Sequence, residues 1–155
     1  GYLAAGQLDA IQEEYSMVKR GLEQTLLPTC IANNVSTLSY SSLALGLLSG
    51  KIGPERKFTG DDHRKDNPRF SIGNRQKIAR LMTAISPIAE AHKATSAQIV
   101  IAWTLQQPGI TFALCGARSV EQARENAKAG RIRLSPAEAK SIDEAARVHL
   151  TDLDA

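Results

Sequence analysis

No apolar run in this 155-residue chain approaches the ~20 residues of a membrane span, and no signal peptide is visible. A cytoplasmic protein with no membrane partner is the expectation. Blocks of one charge are also missing. The 19 basic and 16 acidic residues are interspersed, and a net charge of +3 this diffuse argues against nucleic acid while suiting a small anionic ligand. Cysteine is scarce: Cys30 and Cys115 lie in apolar neighbourhoods without metal-ligand spacing, and read as buried reduced thiols, so no metal site is expected. Aromatics make up only 5 %, and the single tryptophan, Trp103, reads as core packing rather than a cofactor stack. What remains, 43 % hydrophobic and 23 % charged residues, suits one globular unit over 1–155.

Taken in order, Gly1 to Gly6 lacks an initiator Met and reads as the tail of a helix. Leu8 to Gln12 is a short strand candidate whose carboxyl end, Gln12, is either a ligand contact or a solvated strand end. Leu22, Leu26, Leu27, Cys30 and Ile31 recur at helical spacing, and Val35 to Tyr40 is the second strand. It runs into Ser41-Ser42-Leu43-Ala44-Leu45-Gly46-Leu47-Leu48-Ser49-Gly50-Lys51. Hydroxyls, two glycines and a lysine there read equally as a phosphate-wrapping loop or an ordinary strand-to-helix connection.

Residues 52–72 form a polar segment long enough to be functional or mobile, in which Lys57, Arg64, Lys65 and Arg69 either close over an anion or are solvated. Gly73 to Lys93 carries a helical apolar face with Pro87 as a kink, and Thr95-Ser96-Ala97-Gln98 resembles a capping box that launches a helix through Gln106. Ile110 to Cys115 is the third strand. Ser135-Pro136-Ala137-Glu138 caps a final helix, and Leu150 to Ala155 reads as a tail.

Between them lies Gly116-Ala117-Arg118-Ser119-Val120-Glu121-Gln122-Ala123-Arg124-Glu125-Asn126, a strand end, a turn and a helix N-terminus in that order. Backbone N–H groups and the helix dipole make such a place suitable for an anion, with Arg118 and Ser119 beside it. The class is therefore α/β with parallel strands. Three strands cannot close a sheet, so the chain reads as part of something larger or as an oligomer that completes itself.

In this order the pieces resemble the C-terminal part of an aldo-keto reductase, over nearly all of residues 7–148. The resemblance implies a (β/α)8 TIM barrel that uses NADP(H) without a Rossmann domain, of which this chain covers about the last three β/α units. It implies that Gln12 holds the nicotinamide carboxamide and that Tyr40 stacks on the nicotinamide ring. Ser41, Leu43, Gly46, Ser49 and Lys51 would cradle the pyrophosphate. Ser42 stands where the family has proline, which should loosen the turn. Arg64, in Asp61-Asp62-His63-Arg64, falls in the loop that folds over the pyrophosphate. Gly116, Arg118, Gln122, Glu125 and Asn126 match the adenosine site, where Arg118 would meet the 2′-phosphate and favour NADP over NAD.

The family's chemistry is hydride transfer to an aldehyde or ketone, with a tyrosine acid tuned by lysine, histidine and aspartate. The matching stretches are not found here, and Tyr2, Tyr15 and Tyr40 fit none of the catalytic positions. Two readings follow. This is the cofactor-binding portion of an ordinary NADPH-dependent reductase whose catalytic half is elsewhere, or a non-catalytic nucleotide-binding or regulatory protein on a truncated reductase scaffold. A flavodoxin-like domain is disfavoured because Leu8 to Gln12 leads to no phosphate loop. The expected partners are a small carbonyl substrate and either the missing N-terminal half or further copies of the chain. The isolated chain is expected to self-associate through its open sheet.

Overall fold

The computed structural model describes residues 2–151 and 153. After a short helix α1 (Tyr2–Ala5), strand β1 (Ala10–Glu14) leads through a 3-10 turn at Gly21–Gln24 into α2 (Leu26–Ala32). Pro28 sits in the first turn of α2, where a missing N–H costs nothing. Strand β2 (Ser36–Tyr40) follows, and then a kinked 3-10 segment, Ala44–Ser49. A long irregular stretch ends in a 3-10 turn at Pro68–Phe70. The remaining regular elements are the helices α3 (Ile72–Ala91), α4 (Ser96–Leu105), α5 (Val120–Ala129) and α6 (Pro136–His149), with β3 (Phe112–Ala113) between α4 and α5. Of the termini, Gly1 and the tail residues 152, 154 and 155 lie outside the described residues.

Helices α3 to α6 begin where side chains can satisfy their first amides. Thr95 with Gln98, and Ser135 with Glu138, form reciprocal capping boxes, and Ser71 and Ser119 accept from Asn74 N and Gln122 N. In α3 the apolar stripe Ile78, Leu81, Met82, Ile85 and Ala89 is buried. Pro87 interrupts the ladder without ending the helix. It cannot bond to the carbonyl of Thr83, and the Ser86 hydroxyl donates to that carbonyl instead, at 2.9 Å. Helix α4 is buried from Ala97 to Thr104, as its continuous apolar sequence demands.

The three strands are parallel in the order β1-β2-β3, with Gln12 opposite Leu38 and Leu38 opposite Phe112. Strand side chains alternate between faces. Thr37 and Ser39 point into the helical layer and are fully buried, whereas Tyr40 and Phe112 on the other face are 41 % and 54 % exposed. Two sequence expectations are corrected here. β1 extends to Glu14, so Gln12 is inside the strand rather than at its end. The third strand pairs only through Phe112 and Ala113, although Thr111 N and Leu114 N also donate to Thr37 O and Ser39 O.

One cluster fastens β1 to the helices. Tyr15 and Trp103, both fully buried, stack at 6.2 Å with their planes 5° apart. The Arg20 guanidinium lies 4.9 Å from the Trp103 ring and bonds Glu23 and Asp143 at 2.7 Å each. The indole is core, as its sequence position indicated.

Candidate functional site

The site is assembled where the strands end. Directly after Tyr40 the backbone turns through left-handed conformations at Ser41 (φ 59°), Ala44 (φ 47°), Leu45 (φ 56°), Gly46 (φ 90°) and Gly50 (φ 73°). Only the glycines adopt this region without penalty; the others cost of order 1–3 kcal/mol each. Strain concentrated like this persists only where the surrounding structure holds the turn in place. It is closed by Ala44 N to Ser41 O at 2.7 Å, Gly46 N to Leu43 O at 2.9 Å and Leu48 N to Leu43 O at 3.1 Å. Among the described residues the amides of Ser41, Ser42 and Leu43 make no backbone hydrogen bond, so these donors remain at the turn.

Ser42 does not loosen this turn. Its side chain is buried, with its hydroxyl 3.2 Å from that of Ser39, so it ties the turn back to β2. Cys115 also reaches this hydroxyl. Burial raises the thiol's pKa, and the bond from Ser42 only partly offsets that, so the thiol stays protonated. The Ser49 hydroxyl donates to Gly46 O at 2.6 Å and accepts from Lys51 N at 3.2 Å; it serves the turn from within. Lys51 reaches across to Glu125 at 3.5 Å, and Glu125 also accepts from the Thr95 hydroxyl at 2.9 Å. Lys51, α4 and α5 are thereby joined at one carboxylate.

Arg64 lies over the same turn: its Nη1 is 4.0 Å from the point a β-carbon on Gly46 would occupy. Asp62 grips it in a two-toothed pair, from Nε at 2.8 Å and Nη2 at 2.5 Å, and also accepts from Arg64 N at 3.1 Å. The bond from Arg64 is the main reason the Asp62 carboxyl is held down to about 2, and the charge of Arg118 adds to it. Arg118 is exposed, on the turn before α5. Two residues expected to face a ligand also brace that turn: Gln122 Oε1 accepts from Arg118 N at 2.8 Å, and Asn126 Nδ2 donates to Gly116 O at 3.2 Å.

Gln12 and Tyr40 stand apart from this cation-bearing end. They share the open sheet face, because Gln12 is in register with Leu38 and Tyr40 lies two residues further along β2. Both are exposed. Tyr15 is the opposite case. Burial, reinforced by its 2.5 Å bond to Glu23, pushes its phenol far above the ordinary range. That is unsuited to proton donation near neutral pH.

Sequence reasoning missed Asp62, Glu14 and Phe58. Glu14, at the end of β1, pairs with Lys19 at 2.5 Å and Arg69 at 2.7 Å. Its burial works against ionisation, but these two cations outweigh it and hold the carboxyl below its usual range. An acid two residues before Arg64 was the available signal for Asp62. Glu14 and Arg69 are 55 residues apart and gave none.

A model of the aldo/keto reductase family matches residues 5–147. The chain belongs to the aldo-keto reductase family. It is 35 % identical over 145 residues to the NADH-specific methylglyoxal reductase of Escherichia coli (strain K12), covering 94 % of this chain and 44 % of that protein. It is 32 % identical to the aldo-keto reductase yakc of Schizosaccharomyces pombe, whose name specifies NADP(+), covering 89 % of this chain and 42 % of the relative. Among solved structures, the glycerol dehydrogenase AKR11B4 from Gluconobacter oxydans superposes with a TM-score of 0.87 at 28 % identity, over 96 % of this chain and 45 % of that one. The aldo-keto reductase chain described here thus spans less than half the length of each relative. Its parallel α/β architecture is that of the family's (β/α)8 barrel. No helix among the described residues is long and apolar enough to cross a membrane.

Proposed function

We propose that residues 1–155 form one cofactor-binding unit, the last three β/α units of an aldo-keto reductase barrel, in an NADPH-dependent enzyme that reduces an aldehyde or ketone. The acid/base residues then belong to the part of the barrel outside this chain. The observation that carries the reading is the continuity from the open face bearing Gln12 and Tyr40, through the left-handed turn after β2, to Arg64 over Gly46. This arrangement matches a dinucleotide in shape and charge: an apolar ring and amide partner at one end, backbone donors and a guanidinium in the middle, and exposed Arg118 at the other.

In this reading Gln12 orients the carboxamide and Tyr40 covers one face of the nicotinamide, which supplies hydride when bound. Ser41, Leu43, Gly46, Ser49 and Lys51 line the pyrophosphate path, with donors from the turn's backbone. Arg64 closes over it. Gly116, Arg118, Gln122, Glu125 and Asn126 surround the adenosine. Gln122 and Asn126 act by holding the 116–118 turn, and Arg118 meets the 2′-phosphate.

A second reading, NADH as the working cofactor, is favoured by one observation: the similar reductase of Escherichia coli is named NADH-specific. The experiment is a titration of the full-length protein with NADPH and NADH before and after Arg118→Ala. NADPH binding should weaken by about 1.5–3 kcal/mol, the range for a hydrogen bond to a charged group, with NADH little changed. Equal losses for both would remove the 2′-phosphate assignment, and tighter NADH binding by the unaltered protein would establish the second reading.

A further inference from the structure

Arg75 has no part in the reading above, yet it is the most unusual cation in the structure. It lies in the first turn of α3 and is only 6 % exposed. Among the described residues no carboxylate pairs with it. Its Nε donates to Phe70 O at 2.9 Å, and its Nη1 lies within bonding distance of Gly53 O (3.0 Å), Pro54 O (2.7 Å) and Arg56 O (2.7 Å). A buried charge is tolerated only when its hydrogen-bonding capacity is met. Here backbone carbonyls take Nε and Nη1, and they come from the two ends of one segment, 53–56 and Phe70. A single planar guanidinium therefore gathers the irregular stretch between β2 and α3 into a strap.

The strap is linked to the site through one ring. The Arg75 guanidinium lies 5.5 Å from the centroid of Phe58, and the Arg64 guanidinium lies 5.0 Å from the same centroid. Phe70 meets Phe58 edge-on at 5.5 Å, which fixes the ring's orientation. Arg64 in turn overlies Gly46. Arg75, Phe58, Arg64 and Gly46 make a continuous set of contacts from the helical core to the turn after β2.

We propose that Arg75 is a positioning residue that acts through the 53–56 carbonyls and Phe58 to hold Arg64 over the Gly46 turn, so that the strap is ordered before an anionic ligand arrives. The inference rests on the nucleotide reading above. Its physical consequence is that the cost of ordering residues 53–70 is met on folding rather than on binding. Lysine cannot replace Arg75, because an ammonium lacks the planar fork that reaches both ends of the strap.

The test uses the full-length protein and NADPH as the probe, in a double-mutant cycle of Arg75→Lys with Arg64→Ala, read by Kd and by amide hydrogen exchange. Arg75→Lys should raise the Kd by about tenfold, and by much less when Arg64 is already alanine, as coupled residues require. Exchange should quicken in 53–70 while α4 stays protected. Phe58→Leu repeats the cycle should Arg75→Lys fail to fold, since Phe58 is only half-buried. Additive losses, or an unchanged Kd despite faster exchange in the strap, overturn the inference alone. Unaltered protein that binds neither NADPH nor NADH removes the nucleotide reading and takes this inference with it.

Discussion

Arg20 and Arg64 make the same contacts in two different regions. Each guanidinium lies about 5 Å over an aromatic ring, Trp103 for Arg20 and Phe58 for Arg64, and each is held by a carboxylate close by in sequence. Around Arg20 everything else is fixed: Trp103 is fully buried, Tyr15 stacks beneath it, and Asp143 arrives from α6. Around Arg64 the ring is half-buried, the carboxylate is in the same loop, and the ground below is a strained turn. The same pair chemistry therefore secures a fold in one place and poises a charge in the other. What differs is whether the surroundings could rearrange if a stronger anion appeared.

The comparison is broken most forcefully at Trp103. Trp103→Ala should cost about 3–5 kcal/mol by cavity formation, read from urea unfolding of the full-length protein. The loss is one of packing, since Trp103 Nε1 has no hydrogen-bond partner among the described residues. A loss under about 1 kcal/mol would mean that the cluster is not the anchor described. Next, Arg20→Met and Arg64→Met should part company. Arg20→Met should lower stability by about 1–2 kcal/mol, the worth of a partly desolvated cation–π contact, with little change in cofactor affinity. Arg64→Met should leave the unfolding midpoint nearly unmoved and weaken NADPH binding. Matching stability losses from both would collapse the distinction.

How much of this was legible in the sequence depends on the range of the interaction. Helices α4 and α6 announced themselves through Thr95 with Gln98 and Ser135 with Glu138, because a capping box is complete within four residues. The end of β1 was placed two residues short. Glu13 and Glu14 look like solvent, and nothing local shows that Arg69 will return to pair with Glu14. At the site, Gly46 and Gly50 signalled a turn, but the left-handed Ala44 and Leu45 did not, because their conformation is imposed by packing on either side. Arg75 had a signal that could have been read. It falls three residues before Ile78, in line with the buried stripe of α3, and a charge on an apolar stripe requires an explanation. Its partners are backbone carbonyls, which carry no sequence mark.

The smallest expected effect separates the two arginine regions by pH. Asp62 titrates at about 2 in the folded chain, chiefly through its bond from Arg64, below its ordinary 3.8. A carboxyl depressed on folding contributes stability that is present above its unfolded pKa and lost as pH falls through the folded one. The Asp62–Arg64 pair is thus fully formed above about pH 5 and is lost only toward pH 2. Because both side chains are only partly buried and solvent screens their pairing, Asp62→Asn should leave the urea unfolding midpoint at about pH 7 nearly unmoved. Its effect should appear in the ligand instead. Removing the carboxylate frees Arg64, so affinity for NADPH should rise modestly, and the variant should keep the pH dependence of the unaltered protein between about pH 6 and 8, well above the Asp62 pKa. Weaker NADPH binding by Asp62→Asn would show that the carboxylate aims Arg64 rather than occupies it. Arg64 would then be held in place as firmly as Arg20, and the contrast between the two regions would be one of exposure alone.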